Sequence, residues 1–206
     1  MDPFQIRQAL VEVRNLRKSI LEKQLFKGYS GRARAAGGCI ALLAALLMQY
    51  AFPQAGGHGM FLAWAIVFVL AVLFNYGAVV AWLLKGGNRK TADLGYLLEV
   101  VPVWLVGGIL TLALWRQGQA DLLYGSWMCL FGLAQSVARS RLPRQMCWVG
   151  LYYIVAGSIC LALPIGSFSL PMVMGLVFFI GEWSAGIIMH SSGEPGGLLA
   201  FFKFGK

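Results

Sequence analysis

The sequence predicts an all-α fold: a polytopic membrane helix bundle with six transmembrane helices, arranged as three hairpins, and both ends in the cytoplasm. Three observations carry that expectation. The 206-residue chain is 59% hydrophobic and 12% charged, with a mean hydropathy of +0.71, outside the range of ordinary soluble domains. Its apolar runs approach the roughly 20 residues a helix needs to cross the hydrocarbon core. Sixteen of its seventeen lysines and arginines fall on one side of the crossings so defined, as expected of short cytoplasmic loops.

The elements follow in order. Residues 4–27 read as an amphipathic cytoplasmic helix, because Ile6, Leu10, Val13, Leu16, Ile20 and Leu21 recur at three- and four-residue steps and share one face. Arg7, Arg14 and Lys18 border that face, and Lys27, Arg32 and Arg34 carry the basic character up to the bilayer. These six side chains are expected to contact the anionic membrane surface. The same apolar face also suits docking to a membrane or cytoplasmic protein partner. Gly28 and Ser30-Gly31 break the pattern, so residues 1–34 form a basic helix and linker.

Spans are expected at about 35–52, 60–84, 94–115, 122–137, 146–163 and 171–190. The turn at 54–58 and the segment 164–170 are uncharged, whereas the alternate loops hold Lys85, Arg89 and Lys90, then Arg139, Arg141 and Arg144. Arg116 alone lies on the outer side; eight basic residues precede the first span and Lys203 and Lys206 end the chain. Both termini inside requires an even number of crossings. Residues 35–190 then form the transmembrane domain. Residues 191–206 form a cytoplasmic interfacial tail anchored by Phe201, Phe202 and Phe204.

Several function classes are excluded by what the chain lacks. Its formal charge of +9 sits in short loops with no recognisable nucleic-acid reader, so no nucleic-acid partner is expected. Cys39, Cys129, Cys147 and Cys160 form no C-x-x-C pair, which argues against a metal site or a disulfide framework and for small apolar residues at helix interfaces. No H-E-x-x-H, G-x-S-x-G or cysteine–histidine pairing occurs. No catalytic residue, metal or cofactor is therefore assigned, and the chain is expected not to be an enzyme.

Candidate sites lie where a polar group is costly. Glu99 and Glu182 are the ionisable residues well inside expected spans, where a charge costs at least about 2.5–3.5 kcal/mol. At 1.5 Å per residue, Glu182 lies about 16 Å deep, near the midplane, and has no basic residue expected at its depth. Asn75 and Gln135 come out at comparable levels, with Tyr152 and Tyr153 as neighbours, so Glu182, Glu99, Asn75 and Gln135 form a candidate intramembrane polar cluster. Two roles compete: interhelical hydrogen bonds of about 0.6 kcal/mol each, or a cavity in which Glu182 loads a proton or cation.

The order Gly28-Tyr29-Ser30-Gly31, Pro102-Val103-Trp104-Leu105-Val106-Gly107-Gly108, Phe131-Gly132-Leu133-Ala134, Val149-Gly150-Leu151 and Ala156-Gly157 is similar to a family of uncharacterised bacterial six-helix integral membrane proteins. The resemblance covers most of the chain. It implies the topology and a bacterial inner (cytoplasmic) membrane, and brings no activity or site residue with it.

Two functions are carried forward. One is a non-enzymatic multi-pass inner-membrane protein, a complex subunit, sensor or regulator acting through contacts with the lipid bilayer and a protein partner, and compatible with a homo-oligomer. The alternative is a small proton, cation or small-solute transporter with Glu182 as the embedded carrier, in which Pro102 and the paired glycines would unwind the third span.

Overall fold

The computed structural model describes residues 8, 10–13, 16, 31–52, 56–85, 90–137, 143, 145–163 and 168–193, with the side chains of 72, 74–85, 90–100 and 191–193 outside that description. Every regular element among them is helical. Beyond the helical residues 8, 10–13 and 16, the chain forms α1 (Gly31–Leu46, prolonged by a π-helical segment Leu47–Ala51), α2 (Gly57–Lys85), α3 (Lys90–Arg116), α4 (Leu123–Val137, entered through a 3-10 turn at Ala120–Leu122), α5 (Met146–Ala162) and α6 (Pro171–Gly193). Their bounds lie within a few residues of the expected spans, except that α1 includes Gly31 and α3 includes Lys90. α3 continues unbroken past Pro102.

Among the described residues, two helices, Gly31–Ala51 and Pro171–His190, are long and apolar enough to cross a membrane, by length and composition, with mean hydropathies of 1.4 and 1.8. Shorter apolar stretches among the described residues are Gly57–Ala71, Val101–Arg116 and Met146–Ala162.

Local chemistry sets some of the boundaries. Gly118 has φ +70, and its N–H bonds to Trp115 O at 3.1 Å while Gln119 N–H bonds to Leu114 O at 2.9 Å. This double closure caps the end of α3 and needs a residue at ease in the left-handed region. The chain then re-enters a helix after three residues, which sets α3 and α4 side by side.

Packing cuts across the expected hairpins. The two most extensive pairings join α1 to α6 and α4 to α5, whereas the neighbours α1–α2, α3–α4 and α5–α6 meet less extensively. Glycine explains both strong pairings. A Cβ at Gly125 would lie 2.8 Å from Gly157 O, and one at Gly157 would lie 2.6 Å from Gly125 O. One turn-pair further along, Gly132 and Gly150 face each other the same way, at 2.5 and 3.0 Å. The two glycines on each helix are seven residues apart, so two antiparallel backbones touch at both points. α1 and α6 are also antiparallel: Gly31 meets Gly186 at one end, and Gly175 meets Ala41 and Ala45 at the other.

The remaining contacts close a ring. α2 meets α3 through Phe68–Trp104 (5.3 Å) and Phe61–Trp115 (4.7 Å), and α4 meets α6 through Phe131–Phe178 (5.1 Å). α5 packs behind α4 and α6. Five helices, α2, α1, α6, α4 and α3, line a partly open cavity of about 570 Å³.

Replacing Gly132 by Val should destabilise the fold by about 1–3 kcal/mol or more, because backbone rather than a mobile side chain must move. Gly108→Val, where an added Cβ meets nothing within 4 Å, should be close to neutral. Thermal unfolding of the two variants in the same detergent measures the difference; equal midpoints would refute the close-contact account.

Candidate functional site

Polar side chains converge inside the bundle, in the half toward which α1 and α5 begin and α4 and α6 end. Arg34, in the first turns of α1, is 3% exposed. Its Nε donates to Glu182 Oε2 at 2.8 Å, its Nη2 to Glu182 Oε1 at 2.7 Å, and its Nη1 to Gln135 Oε1 at 3.2 Å. The fully buried Tyr153 donates its hydroxyl to Glu182 Oε1 at 3.2 Å. Four helices, α1, α4, α5 and α6, each contribute one member.

The local sequence makes room for this cluster. Gly38, one turn beyond Arg34, faces α6 where an added Cβ would sit 3.0 Å from Glu182 Cβ. A Cβ at Gly181 would collide with the Tyr153 ring, 2.7 Å from Cε2. Tyr153 is wedged between Phe131 (4.9 Å) and Phe178 (5.1 Å), which holds its hydroxyl at the carboxylate. The bidentate fork is the geometry in which guanidinium and carboxylate pair best. Opposite charges cancel inside the cluster, and burial is tolerated only because each partner answers the other.

The opposite end of the cavity is aromatic. Trp64 Nε1 donates to Tyr124 OH at 2.8 Å, and Tyr124 OH donates to Phe168 O at 3.1 Å. Trp115 stacks against Phe61 and meets Phe168 and His58 edge-on. Asp121 accepts the Phe168 N–H at 2.7 Å, which pins the approach to α6. Between the two ends the walls include Phe68, Trp104, Trp127, Phe131 and Phe178.

Of the expected polar cluster, Glu182 and Gln135 are brought together, and Tyr153 joins them. Tyr152 turns away and donates to Val177 O at 3.1 Å. Asn75 and Glu99 fall on α2 and α3, and their side chains lie outside the described residues.

Two expectations are corrected. Arg34 is not a membrane-surface contact: it is buried, because α1 starts before it and turns it inward. Glu182 does not lack a basic partner, since Arg34 is that partner. The missed signal was present in the spacing. Gly31, Arg34, Gly38, Ala41 and Ala45 recur at steps of three and four, so Arg34 sits on the small-residue stripe that seats α1 against α6. Arg32 is exposed; Arg7, Arg14, Lys18 and Lys27 lie outside the described residues. All four cysteines are free, and no group of three metal-ligating side chains occurs among the described residues.

Comparison with known proteins returns no match, whether to a protein-family model, a curated protein or a solved structure.

Removing one member of the ion pair should cost about 3–5 kcal/mol, because the other charge is left buried. Arg34→Met and Glu182→Met should each lower the unfolding midpoint sharply, while the double variant should recover most of the loss. A double-mutant cycle by thermal unfolding measures the coupling, and additive losses would show that the pair does not hold the helices.

Proposed function

We propose that the chain is a six-crossing inner-membrane protein with both termini in the cytoplasm, and that it acts through contacts, as the sensor or regulatory subunit of a membrane complex, without catalysing a reaction. The internally neutralised Arg34–Glu182 pair carries this proposal. It ties the first helix to the last and leaves the carboxylate engaged at both oxygens, which suits a latch better than a carrier that must load and release ions.

Other features support the membrane part. Large apolar side chains face outward on all six helices, among them Leu43, Leu62, Ile109, Leu133, Val155 and Ile180. A lipid environment satisfies such a surface, whereas water would leave a large apolar area exposed. The buried side of the same helices is small or aromatic. Charge placement supports the orientation, since the loops on the Arg34 side hold nearly all the basic residues.

The N-terminal segment supports the contact-mediated part. Leu10, Val13 and Leu16 are helical and outward-facing, and the segment leads into α1 just before Arg34.

A second reading, transport with Glu182 as the carrier, draws on the cavity that Glu182 lines. It requires the carboxylate to leave Arg34 during each cycle. Glu182→Gln in liposomes separates the two readings: pH-dependent flux abolished by this substitution supports transport, and its absence in the wild type supports the latch.

Reporter fusions at residues 1 and 206 should both report cytoplasm, and insertions at 117 and 165 should both report the opposite side. Ends on opposite sides would overturn the topology. Deleting residues 1–27 should release a co-purifying partner while leaving the unfolding midpoint of the bundle unchanged.

A further inference from the structure

The polar end of the cavity carries a donor that the latch does not use. Arginine only donates hydrogen bonds, so the Gln135 atom 3.2 Å from Arg34 Nη1 is the carbonyl oxygen. That contact fixes the amide orientation and leaves its Nε2, with two N–H groups, on the other side. Gln135 is 6% exposed and lines the cavity, and among the described residues no acceptor pairs with Nε2. This amide nitrogen is accessible although the residue as a whole is buried, so an acceptor entering the cavity can reach it.

The rest of the chamber defines that acceptor's carrier. Polar groups along the wall already answer each other: Trp127 Nε1 donates to Thr111 Oγ1 at 2.8 Å, Thr111 to Gly107 O at 2.6 Å, and Trp64 to Tyr124. Between them lie the faces and edges of Trp104, Phe131 and Phe178, which favour a flat ring. Arg34 and Glu182 cancel, so an anion would compete with Glu182 and a cation with Arg34. A volume of about 570 Å³ falls in the ordinary range for small-molecule sites.

We propose that this cavity binds a neutral ring compound with a carbonyl oxygen, which accepts a hydrogen bond from Gln135 Nε2 while the ring lies among Trp104, Phe131 and Phe178. Quinone head groups belong to this class. The proposal goes beyond the latch and the contact-mediated function, and it rests on the cavity alone.

The test uses the full chain in lipid nanodiscs and menadione, carbonyl-labelled with carbon-13. Wild type should show saturable quenching of tryptophan fluorescence and an infrared carbonyl band shifted to lower wavenumber. Gln135→Glu keeps an acceptor for Arg34 but has no N–H₂; Gln135→Leu removes both. Each should weaken binding about tenfold, as expected for one lost hydrogen bond, and abolish the band shift. Gly107→Phe adds a ring at a partly buried position of the cavity wall, where an added Cβ meets Leu130 Cδ1 at 3.4 Å, and should remove saturation.

Quenching that rises linearly and equally in all four proteins would mean partition into lipid only and would overturn the site. Saturable binding with an unshifted carbonyl band, or with affinity unchanged by Gln135→Glu, would overturn the Gln135 contact. Neither result bears on the number of crossings, which the fusions measure separately.

Discussion

A guanidinium held by a carboxylate in an apolar interior is the constraint on which this architecture depends. Arg34 and Glu182 are 148 positions apart, and their pairing brings the first helix of the bundle onto the last. Neither charge is tolerable at that burial alone, so the fold must deliver both or neither. Gly38 and Gly181 follow from this requirement, because each clears the volume that a member of the cluster occupies. Gln135 and Tyr153 complete it by binding the remaining edges of the two ions.

The bundle has two unlike ends, and the difference is chemical. At the Arg34 end, polar groups from four helices are joined by short, directional bonds. At the opposite end, aromatic rings and the Trp64–Tyr124–Phe168 chain present few polar atoms. Glycine contacts hold α4 to α5 and α1 to α6 tightly, while among the described residues α2 and α3 meet through the ring pairs Phe68–Trp104 and Phe61–Trp115. A chamber arises because bulky aromatics keep those helices from collapsing onto the close-packed pairs.

The Arg34–Glu182 pair and the cavity share Gln135, whose oxygen accepts from Arg34 and which lines the cavity. Anything that moved Gln135 would be felt on both sides, so this residue couples the Arg34–Glu182 pair to the cavity. That coupling requires no redistribution of net charge, since the cluster stays neutral as a unit.

Helical periodicity and charge placement were legible in the chain itself: six long helices, their approximate limits, and the concentration of basic residues at one set of loops. Glu182 and Gln135 could also be singled out, because a polar group amid apolar neighbours is costly wherever it packs. Which groups would meet was not legible. Arg34 reads as one more surface cation in the sequence, because charge placement along the chain does not distinguish a loop arginine from one on the inward stripe of a helix that begins three residues earlier. Pairing of α1 with α6 and of α4 with α5 likewise depends on glycines whose partners lie on other helices. Local sequence determines periodicity and charge; only the three-dimensional arrangement decides which backbones touch, where a cavity remains, and which buried charge finds its opposite.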